Sequence, residues 1–328
     1  MWAAGPPKPT EGPMPRAAVC YTASSGYLFQ TIVSALQARR HTEDDIAVYI
    51  IFFGPDDSAE AEIFGRICAE NDIVLTTVSA ELLGGLQPNY GRLFLDQILP
   101  PEVEEYLYLD GDTQILGDIT PLVRATAPEG GILAARDPMV FIREINRHLG
   151  GQIDAWWNGS SIPDRLRGDY VNSGVMRVSR SALPDLRAAC LLVALGPGGS
   201  EMKFSDQDAI NLAADGRVGV LSMRWNYPGF LLDTQIADLV PPRIVHFMSN
   251  PRPWNAPFRP WGRAFYQPYE ELVSRYPETD PYWTRFTGLR RYRYVLQQLG
   301  KRLVEGRQYQ TPAAAQAVSV LQSRDMAL

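Results

Sequence analysis

Cysteine is scarce in this sequence. Its 328 residues include three cysteines, Cys20, Cys68 and Cys190, and they lie far apart along the chain. An odd number of widely spaced cysteines predicts neither a disulfide framework nor a zinc cluster. We therefore expect a protein of a reducing compartment, and the cytoplasm fits best.

Long apolar runs are also missing. The longest one covers residues 46–54, which is far too short to span a bilayer. Residues 1–16 are rich in proline, glycine and alanine but contain no apolar stretch, so we expect neither a signal peptide nor an anchor there. We predict that these residues form a disordered lead-in.

An excess of positive charge is absent as well. The net charge is −6, which argues against nucleic acid as a partner. Among the basic residues, 28 are arginines and three are lysines. Arginine must therefore stand where other chains use lysine, and the two differ at phosphates because the guanidinium is a planar, bidentate fork.

What the chain does contain is a regular alternation of strands and helices in its first half. Hydrophobic residues make up 45% of the sequence, enough for one large core. The alternation predicts an α/β fold in which helices cover both faces of a parallel sheet and ligands bind beyond the carboxyl ends of its strands. We predict strands at residues 17–22, 46–53, 73–78 and 106–109, and helices at residues 27–40, 58–71 and 92–99.

The middle of the chain is less regular. Residues 150–169 contain Trp156 and Trp157 but show no clear period, so we interpret them as a long loop of the kind that often carries function. We favour a core position for the two tryptophans over stacking on a sugar ring. Further strands are predicted at residues 170–178 and 243–247, and helices at residues 181–195 and 205–214.

The composition changes near residue 265, after which Tyr, Arg and Leu dominate. Within residues 289–304, four apolar side chains fall at helical spacing among basic residues: Val295, Leu296, Leu299 and Leu303. We interpret residues 265–328 as a C-terminal helical extension and favour a helix docked on the main domain. The alternative is a basic amphipathic helix in peripheral contact with an anionic membrane, at its inner face.

The strongest local signal is an acidic pair at the end of a predicted strand, in Tyr106-Leu-Tyr-Leu-Asp-Gly-Asp-Thr113. In an extended segment, residues two apart point the same way, so Asp110 and Asp112 would face one ion together. Carboxylate oxygens suit hard cations such as Mg²⁺ and Mn²⁺, which clamp diphosphates. Gly111 would let a ligand approach the backbone closely.

Two other interpretations of this pair stay open at this point. In the first, the two carboxylates have a structural role and form a turn or cap a helix, as Asp often does. The motif also resembles the nucleophile motif of haloacid-dehalogenase-type phosphatases, in which Asp110 would attack phosphorus. About three strands precede the motif here, however, and Lys203 with Asp206 and Asp208 only weakly imitates the remaining phosphatase residues.

Three later segments and one earlier arginine resemble motifs of glycosyltransferase family 8 in the same order. The segments are Tyr170-Val-Asn-Ser-Gly-Val-Met176, Ser205-Asp-Gln-Asp-Ala-Ile-Asn211 and His246-Phe-Met-Ser-Asn-Pro-Arg-Pro-Trp254, and the arginine is Arg92. The resemblance covers residues 17–254. It implies a GT-A fold, which is a Rossmann-like mixed sheet with helices on both faces, in a domain of residues 17–264.

The resemblance also implies a retaining hexosyltransferase that uses a UDP-sugar and Mn²⁺ or Mg²⁺. Asp110, Asp112 and His246 would bind the metal, although a core histidine is the alternative at position 246. Arg252 replaces a family lysine that contacts the diphosphate. The other implied roles belong to a set around the donor: Arg92 at the phosphates or sugar; Asn172, Ser173 and Gly174 beside the sugar; and Asp206 and Gln207 as catalytic residues with the acidic pair.

Structural alternatives apply to this set too. Arg92 would be an ordinary surface arginine, Asn172 and Ser173 would end a strand, and Asp206 would cap a helix. The acceptor is not readable from the sequence, so a glycan, a lipid-linked sugar or a small molecule is expected, and the oligomeric state is likewise open.

The sequence departs from the family at two places. Ser24 stands where an acid near the uracil is usual, which leaves Thr22, Ala23 and Tyr27 to meet the base. Ser249 replaces a glycine near the phosphates. These departures keep a second hypothesis open, namely a degenerate protein that binds a nucleotide-sugar without transferring it.

Overall fold

The computed structural model describes residues 15–196 and 205–328. The predicted lead-in therefore lies outside the described residues except for its last two, and Lys203 lies outside them as well. Arg16 forms an ion pair with Glu104, and its carbonyl oxygen accepts hydrogen bonds from the amides of Glu104 and Glu105. The chain thus joins the fold just before the first strand.

Ten strands occur in the described part of the chain. They are Ala17–Ser24 (β1), Ile46–Phe53 (β2), Val74–Thr77 (β3), Glu105–Leu109 (β4), Thr113–Ile115 (β5), Ile132–Arg136 (β6), Val171–Ser179 (β7), Val218–Leu221 (β8), Tyr227–Pro228 (β9) and Ile244–His246 (β10).

The main sheet has the strand order β3-β2-β1-β4-β7-β6-β8. Its strands pair in parallel except β7, which runs antiparallel to both β4 and β6. The sheet is therefore mixed, as the family resemblance predicts, and not wholly parallel, as the alternation alone predicts. A smaller sheet of order β5-β10-β9 lies beyond the end of β4.

The α-helices pack on both faces of the main sheet or follow it. They are Leu28–Arg40 (α1), Ala59–Glu70 (α2), Leu95–Ile98 (α3), Thr120–Arg124 (α4), Met139–Ile145 (α5), Arg147–Gly159 (α6), Asp164–Arg167 (α7), Leu183–Ala194 (α8), Ser205–Ala213 (α9), Gln235–Leu239 (α10), Gly262–Arg275 (α11), Gly288–Lys301 (α12) and Pro312–Gln322 (α13). A 3₁₀ helix, Pro88–Phe94, precedes α3.

Alternating side chains of the central strands supply two apolar layers. Leu107 of β4 packs with Phe29 and Phe64 of α1 and α2 on one face. Its neighbours Tyr106 and Tyr108 point to the other face, where α8 and α9 pack. Because both faces are covered, the central strands are nearly continuous apolar runs.

The predicted long loop at residues 150–169 is wrong. Those residues contain α6, from Arg147 to Gly159, and α7. Asn146 caps α6 by accepting a hydrogen bond from the amide of Leu149 at 2.9 Å. Leu149, Ile153 and Trp157 recur every four residues on the inward face, and Trp157 is buried. Because these apolar residues are so few, the sequence pattern does not reveal the stripe that they form on the helix.

The C-terminal segment is joined to the main domain at several places. A boundary at residue 265 falls inside α11, whose Tyr269 and Leu272 belong to the main core. Near the end of the chain, the amide of Met326 donates to the carbonyl of Val220 at 2.9 Å and extends the sheet beside β8. In α12, by contrast, none of the described residues is buried.

Candidate functional site

A polar cavity of about 570 Å³ opens at the carboxyl ends of β1 and β4. We call it the strand-end cavity. It is lined by Thr22, Ala23, Ser24, Tyr27, Gln87, Pro88, Asn89, Arg92, Tyr108, Asp110, Gly111, Asp112, Ser173, Asp206 and Gln207. Most of the residues singled out from the sequence thus surround one space, at the sheet edge where α/β folds place ligands.

A tight turn, and not an extended strand, brings the acidic pair together. Strand β4 ends at Leu109, and the amide of Thr113 donates to the carbonyl of Asp110 at 3.2 Å. The reason given above for the shared direction of Asp110 and Asp112 is therefore wrong, although both side chains do face one point. From β10, which pairs His246 with Thr113, the imidazole reaches the same point.

The three side chains form a set that suits a divalent cation. The Nε2 atom of His246 lies 3.1 Å from Oδ1 of Asp112 and 3.7 Å from Oδ2 of Asp110. One ligand atom from each of the three lies within 4.8 Å of the others. Two carboxylates and an imidazole are donors that Mn²⁺ and related ions accept.

The electrostatics of the cluster favour positive charge at its centre. Burial opposes the charged form of both His246 and Asp112, but their mutual attraction outweighs it. The pKa of His246 is consequently raised above its ordinary value. The pKa of Asp112 is held well below its usual range by His246 and Arg252. A cation bound between the imidazole and the carboxylates would take the place that a proton takes without it.

Arg92 is a buried member of this site and not a surface arginine. Its guanidinium donates to Oδ1 of Asp110 at 2.9 Å and to the carbonyl and hydroxyl of Ser173 at 2.6 and 3.0 Å. It also lies 3.3 Å from a carboxylate oxygen of Asp206 and 4.2 Å from the centre of the Tyr108 ring. Arg92 is therefore the shared counter-ion of two carboxylates that line the cavity.

Arg252 approaches the acidic pair from the loop that follows β10. Its guanidinium forms an ion pair with Asp112 and stacks 5.8 Å from the ring of Trp254. The loop is held by the amide of Arg252, which donates to Oδ1 of Asn255 at 2.9 Å. A guanidinium at this position can accompany a diphosphate that shares the cation.

The amide of Gln207 is locked in a hydrogen-bond network behind the cavity. Its Oε1 accepts from Nδ2 of Asn172 at 2.9 Å and from the amide of Ser173 at 3.4 Å. Its Nε2 donates to Asp137 and to the hydroxyl of Tyr170, each at 3.1 Å. Asn172 is buried below the cavity and does not line it. The network fixes which face of Gln207 meets a ligand.

Two glycines of the predicted site allow close packing. A Cβ atom on Gly174 would lie 2.2 Å from Cε1 of His246 and 2.7 Å from Oδ2 of Asp110. A Cβ atom on Gly111 would lie 2.2 Å from Oγ1 of Thr31 in α1. Gly174 therefore makes room for the cluster itself. Gly111 makes room for α1 and also lines the strand-end cavity, so the prediction that a ligand approaches its backbone stays a prediction.

The end of β1 forms the opposite wall. Thr22, Ala23 and Ser24 line it, and the exposed Tyr27 meets Trp254 edge-on, with ring centres 6.4 Å apart. Although Ser24 is not an acid, a buried acid does hold this loop from α2. The amide of Gly26 donates to Oε1 of Glu60 at 2.9 Å.

Ser249 does not belong to the strand-end cavity. It is exposed and lines a second, more apolar cavity of about 190 Å³. That cavity lies between the main domain and the C-terminal segment and includes Phe230, Trp261 and Tyr309. Ser249 is not among the residues that line the strand-end cavity, and its predicted position beside the phosphates stays a prediction.

Sequence reasoning missed several residues of the site, including Gln87, Pro88 and Asn89 in the cavity lining and three that contact its polar side chains. Tyr108 donates to Oδ1 of Asp110 at 2.9 Å. It lies on β4 two residues before Asp110, and that spacing was the available signal. Asp137 follows β6 directly, which places it at the ligand edge of the sheet. Asn226 contacts His246 through its side chain at 2.9 Å, and no pattern in the sequence pointed to it.

Comparison with known proteins identifies one family. The sequence model described as "Glycosyl transferase family 8" matches residues 18–257. A relative from Arabidopsis thaliana, "Probable galacturonosyltransferase-like 8", is 24% identical over 177 residues. The match covers 48% of this chain and 44% of the relative, so the chain spans less than half of that protein's length.

Solved glycosyltransferase structures share the fold. The bifunctional glycosyltransferase WbbM superposes with a TM-score of 0.63 at 16% identity, over 84% of this chain and 53% of that one. The galactosyltransferase LgtC, solved with donor and acceptor sugar analogues, superposes with a TM-score of 0.61 at 18% identity, over 81% of this chain and 99% of that one. GlyE of Streptococcus pneumoniae TIGR4 superposes with a TM-score of 0.55 at 16% identity, over 80% of this chain and 63% of that one. The predicted GT-A fold is confirmed.

Proposed function

The chain belongs to glycosyl transferase family 8, and we propose that it transfers a hexose from a UDP-sugar to an acceptor hydroxyl with retention at the anomeric carbon. The observation that carries the proposal is the cluster of Asp110, Asp112 and His246, whose two carboxylates line the strand-end cavity. A nucleotide-sugar is a diphosphate ester, and such a cluster suits the cation that accompanies a diphosphate.

The residues divide into three groups along the sheet edge, which would hold the cation, the base and the sugar. The cluster at the end of β4 would hold Mn²⁺ or Mg²⁺, which supplies positive charge to a departing diphosphate when bound. Arg252 would add a second positive charge on the same side. Thr22, Ala23 and Tyr27, at the end of β1, would meet the base. The opposite group, around β7 and α9, would hold the sugar.

The sugar side contains no free nucleophile in this proposal. Gln207 is fixed by Asn172 and Asp137, and an amide is a poor nucleophile, so its role would be to stabilise positive charge on the sugar. Asp206 is paired with Arg92. We therefore propose front-face attack, in which the departing phosphate helps to deprotonate the acceptor hydroxyl. The acceptor class remains a glycan, a lipid-linked sugar or a small molecule.

Family membership leaves the phosphatase alternative without support. In that interpretation Asp110 would be a free nucleophile, whereas its Oδ1 accepts hydrogen bonds from both Arg92 and Tyr108. The degenerate binding protein remains the competing hypothesis, because it would use the same cavity and the same cation.

Thermal unfolding with UDP tests the proposal. A ligand at 100 times its dissociation constant stabilises a protein by about 2.7 kcal/mol, so melting should rise with UDP plus Mn²⁺ and not with UDP plus EDTA. Asp112→Asn should abolish the rise. The matched control, Asp164→Asn, changes an exposed aspartate of α7 and should keep it. Absence of any Mn²⁺-dependent shift in the wild-type protein would contradict both binding and transfer.

Release of UDP from UDP-hexoses then separates a transferase from a binding protein. The active enzyme should hydrolyse one UDP-hexose slowly without acceptor, and Gln207→Ala should lower that rate while leaving the Mn²⁺-dependent shift in place. Binding without any release, across the UDP-hexoses tested, would favour the degenerate protein.

We also propose that α12 contacts an anionic membrane surface. Its apolar residues Val295, Leu296 and Leu299 are 45–53% exposed, and Arg291 and Arg293 are exposed nearby. The helices of the described chain all lack the length and hydrophobicity that a bilayer-spanning segment needs, so contact would be peripheral. The helix docks on the main domain through Tyr294, whose ring centre lies 6.2 Å from that of Phe258 and 4.9 Å from that of Phe286.

A further inference from the structure

A row of buried amides stands behind His246, on the side away from the acidic pair. The backbone amide of Gly174 donates to Oδ1 of Asn172 at 3.0 Å. The same Oδ1 lies 2.9 Å from Nδ2 of Asn226. The Oδ1 atom of Asn226 lies 2.9 Å from Nδ1 of His246. All three side chains are at least nine-tenths buried.

The backbone end of this row determines every orientation along it. A backbone N–H only donates, so the side-chain atom of Asn172 that meets it must be the oxygen. That oxygen can accept only from a donor on Asn226, which must therefore present its NH₂ group to Asn172. The oxygen of Asn226 then faces His246. Because an amide oxygen only accepts, Nδ1 of His246 carries a proton.

Strand pairing holds Asn226 in this position. Asn226 ends a 3₁₀ helix, Met223–Asn226, directly before β9. Strand β9 pairs with β10, where Pro228 lies opposite His246. Asn172 lies on β7, the neighbour of β4, so the row connects the two sheets behind the cavity.

We propose that Asn226 is a positioning residue that holds His246 in the Nδ1–H tautomer and so presents the Nε2 lone pair to the metal. The inference rests on the metal site of the proposed function. With Nδ1 protonated, a neutral His246 has its lone pair on Nε2, 3.1 Å from Oδ1 of Asp112. Two acceptors at that distance repel each other unless a cation or a proton lies between them. Loss of such a hydrogen-bond partner from a ligating histidine typically lowers metal affinity by roughly 10- to 100-fold.

A purely structural role for Asn226 makes different predictions. If Asn226 only satisfied buried polar groups, its loss would lower the stability of the fold and leave the tautomer of His246 unchanged. The proposed role instead predicts a change in two quantities that do not depend on fold stability. They are the tautomer of His246 in the metal-free protein and the affinity of the protein for Mn²⁺ alone.

The first measurement is ¹⁵N NMR of histidine in metal-free protein, at a pH at which His246 is neutral. The chain has three histidines, and His246→Asn identifies the signal of His246 by its loss. We expect the Nδ1–H form in the wild-type protein and a mixture of tautomers in Asn226→Ala. A predominant Nε2–H form in the wild-type protein would overturn the inference.

The second measurement is the affinity for Mn²⁺ without nucleotide, from the electron paramagnetic resonance signal of the free ion. Asn226→Ala should bind about 10- to 100-fold more weakly. Asn226→Asp keeps an acceptor for Nδ1–H but loses the NH₂ donor to Asn172, so its affinity should lie between those of the wild-type protein and Asn226→Ala. Circular dichroism and thermal unfolding of each variant, His246→Asn included, check that the fold is retained.

The outcomes separate this inference from the proposed function. If the wild-type protein binds no Mn²⁺, the metal site fails and the inference fails with it. If the wild-type protein binds Mn²⁺ and Asn226→Ala binds it equally well, the inference alone is overturned and the proposed function stands.

Discussion

The strand-end cavity and the outer face of α12 present opposite kinds of surface. In the cavity, charged side chains are buried and paired, as Arg92 is with Asp110 and Asp206. On α12, leucines are half exposed, and Arg291 and Arg293 are exposed beside them. The cavity has a geometry that the protein determines before any ligand arrives. The helix offers exposed apolar area and charge, which suits a fluid surface better than a defined ligand.

The difference should be largest in the response to losing an arginine. Arg92→Met would leave two carboxylates facing each other without their buried counter-ion, and breaking such a pair destabilises a protein by about 3–5 kcal/mol. Arg293→Met, the matched change on α12, should stay within about 0.5 kcal/mol because Arg293 is exposed. Urea unfolding in EDTA measures both. Similar losses for the two variants would show that Arg92 is not the central counter-ion.

A smaller but more local effect is expected at Gly174. In Gly174→Ala the new methyl carbon would overlap His246 and Asp110, so both would shift from their positions around the cation. Disturbing the support of metal ligands costs roughly 10- to 100-fold in metal affinity, and Mn²⁺-dependent UDP affinity should fall by about as much in calorimetric titration.

The control for Gly174 is Gly159, at the end of α6. A Cβ atom there meets nothing within 4 Å, so Gly159→Ala should bind UDP as the wild-type protein does. It should also be slightly more stable, since alanine is the better helix former. If Gly174→Ala kept its affinity, the close packing of His246 and Asp110 would not be required for binding.

The contrast between these two regions also explains what the sequence could predict. The family and the fold are confirmed, because strand periodicity and four short motifs are local signals. The turn at Asp110, the place of Ser249 and the contact of Asn226 with His246 were not predictable, because each depends on how separate segments pack. The helix α6 was missed for a related reason: its stripe of Leu149, Ile153 and Trp157 becomes visible only against the surface that it covers.

The weakest effect expected concerns the outer face of α12 and decides between its two interpretations. If α12 contacts an anionic membrane, the protein should sediment with vesicles that contain anionic phospholipid. Leu296→Glu should then reduce that binding about tenfold or more, since burying a leucine contributes about 1.5–3 kcal/mol. Gln297→Glu adds the same charge one position away, outside the apolar stripe, and should reduce binding less.

Neither change should alter the binding of UDP with Mn²⁺, because α12 contributes no residue to the strand-end cavity. If the wild-type protein does not bind these vesicles, the docked helix remains the better interpretation, with Tyr294 as its anchor on Phe286. If Leu296→Glu and Gln297→Glu weaken vesicle binding equally, charge alone holds the protein at the surface. The exposed leucines of α12 would then need a different partner, while the arginines beside them would account for the contact.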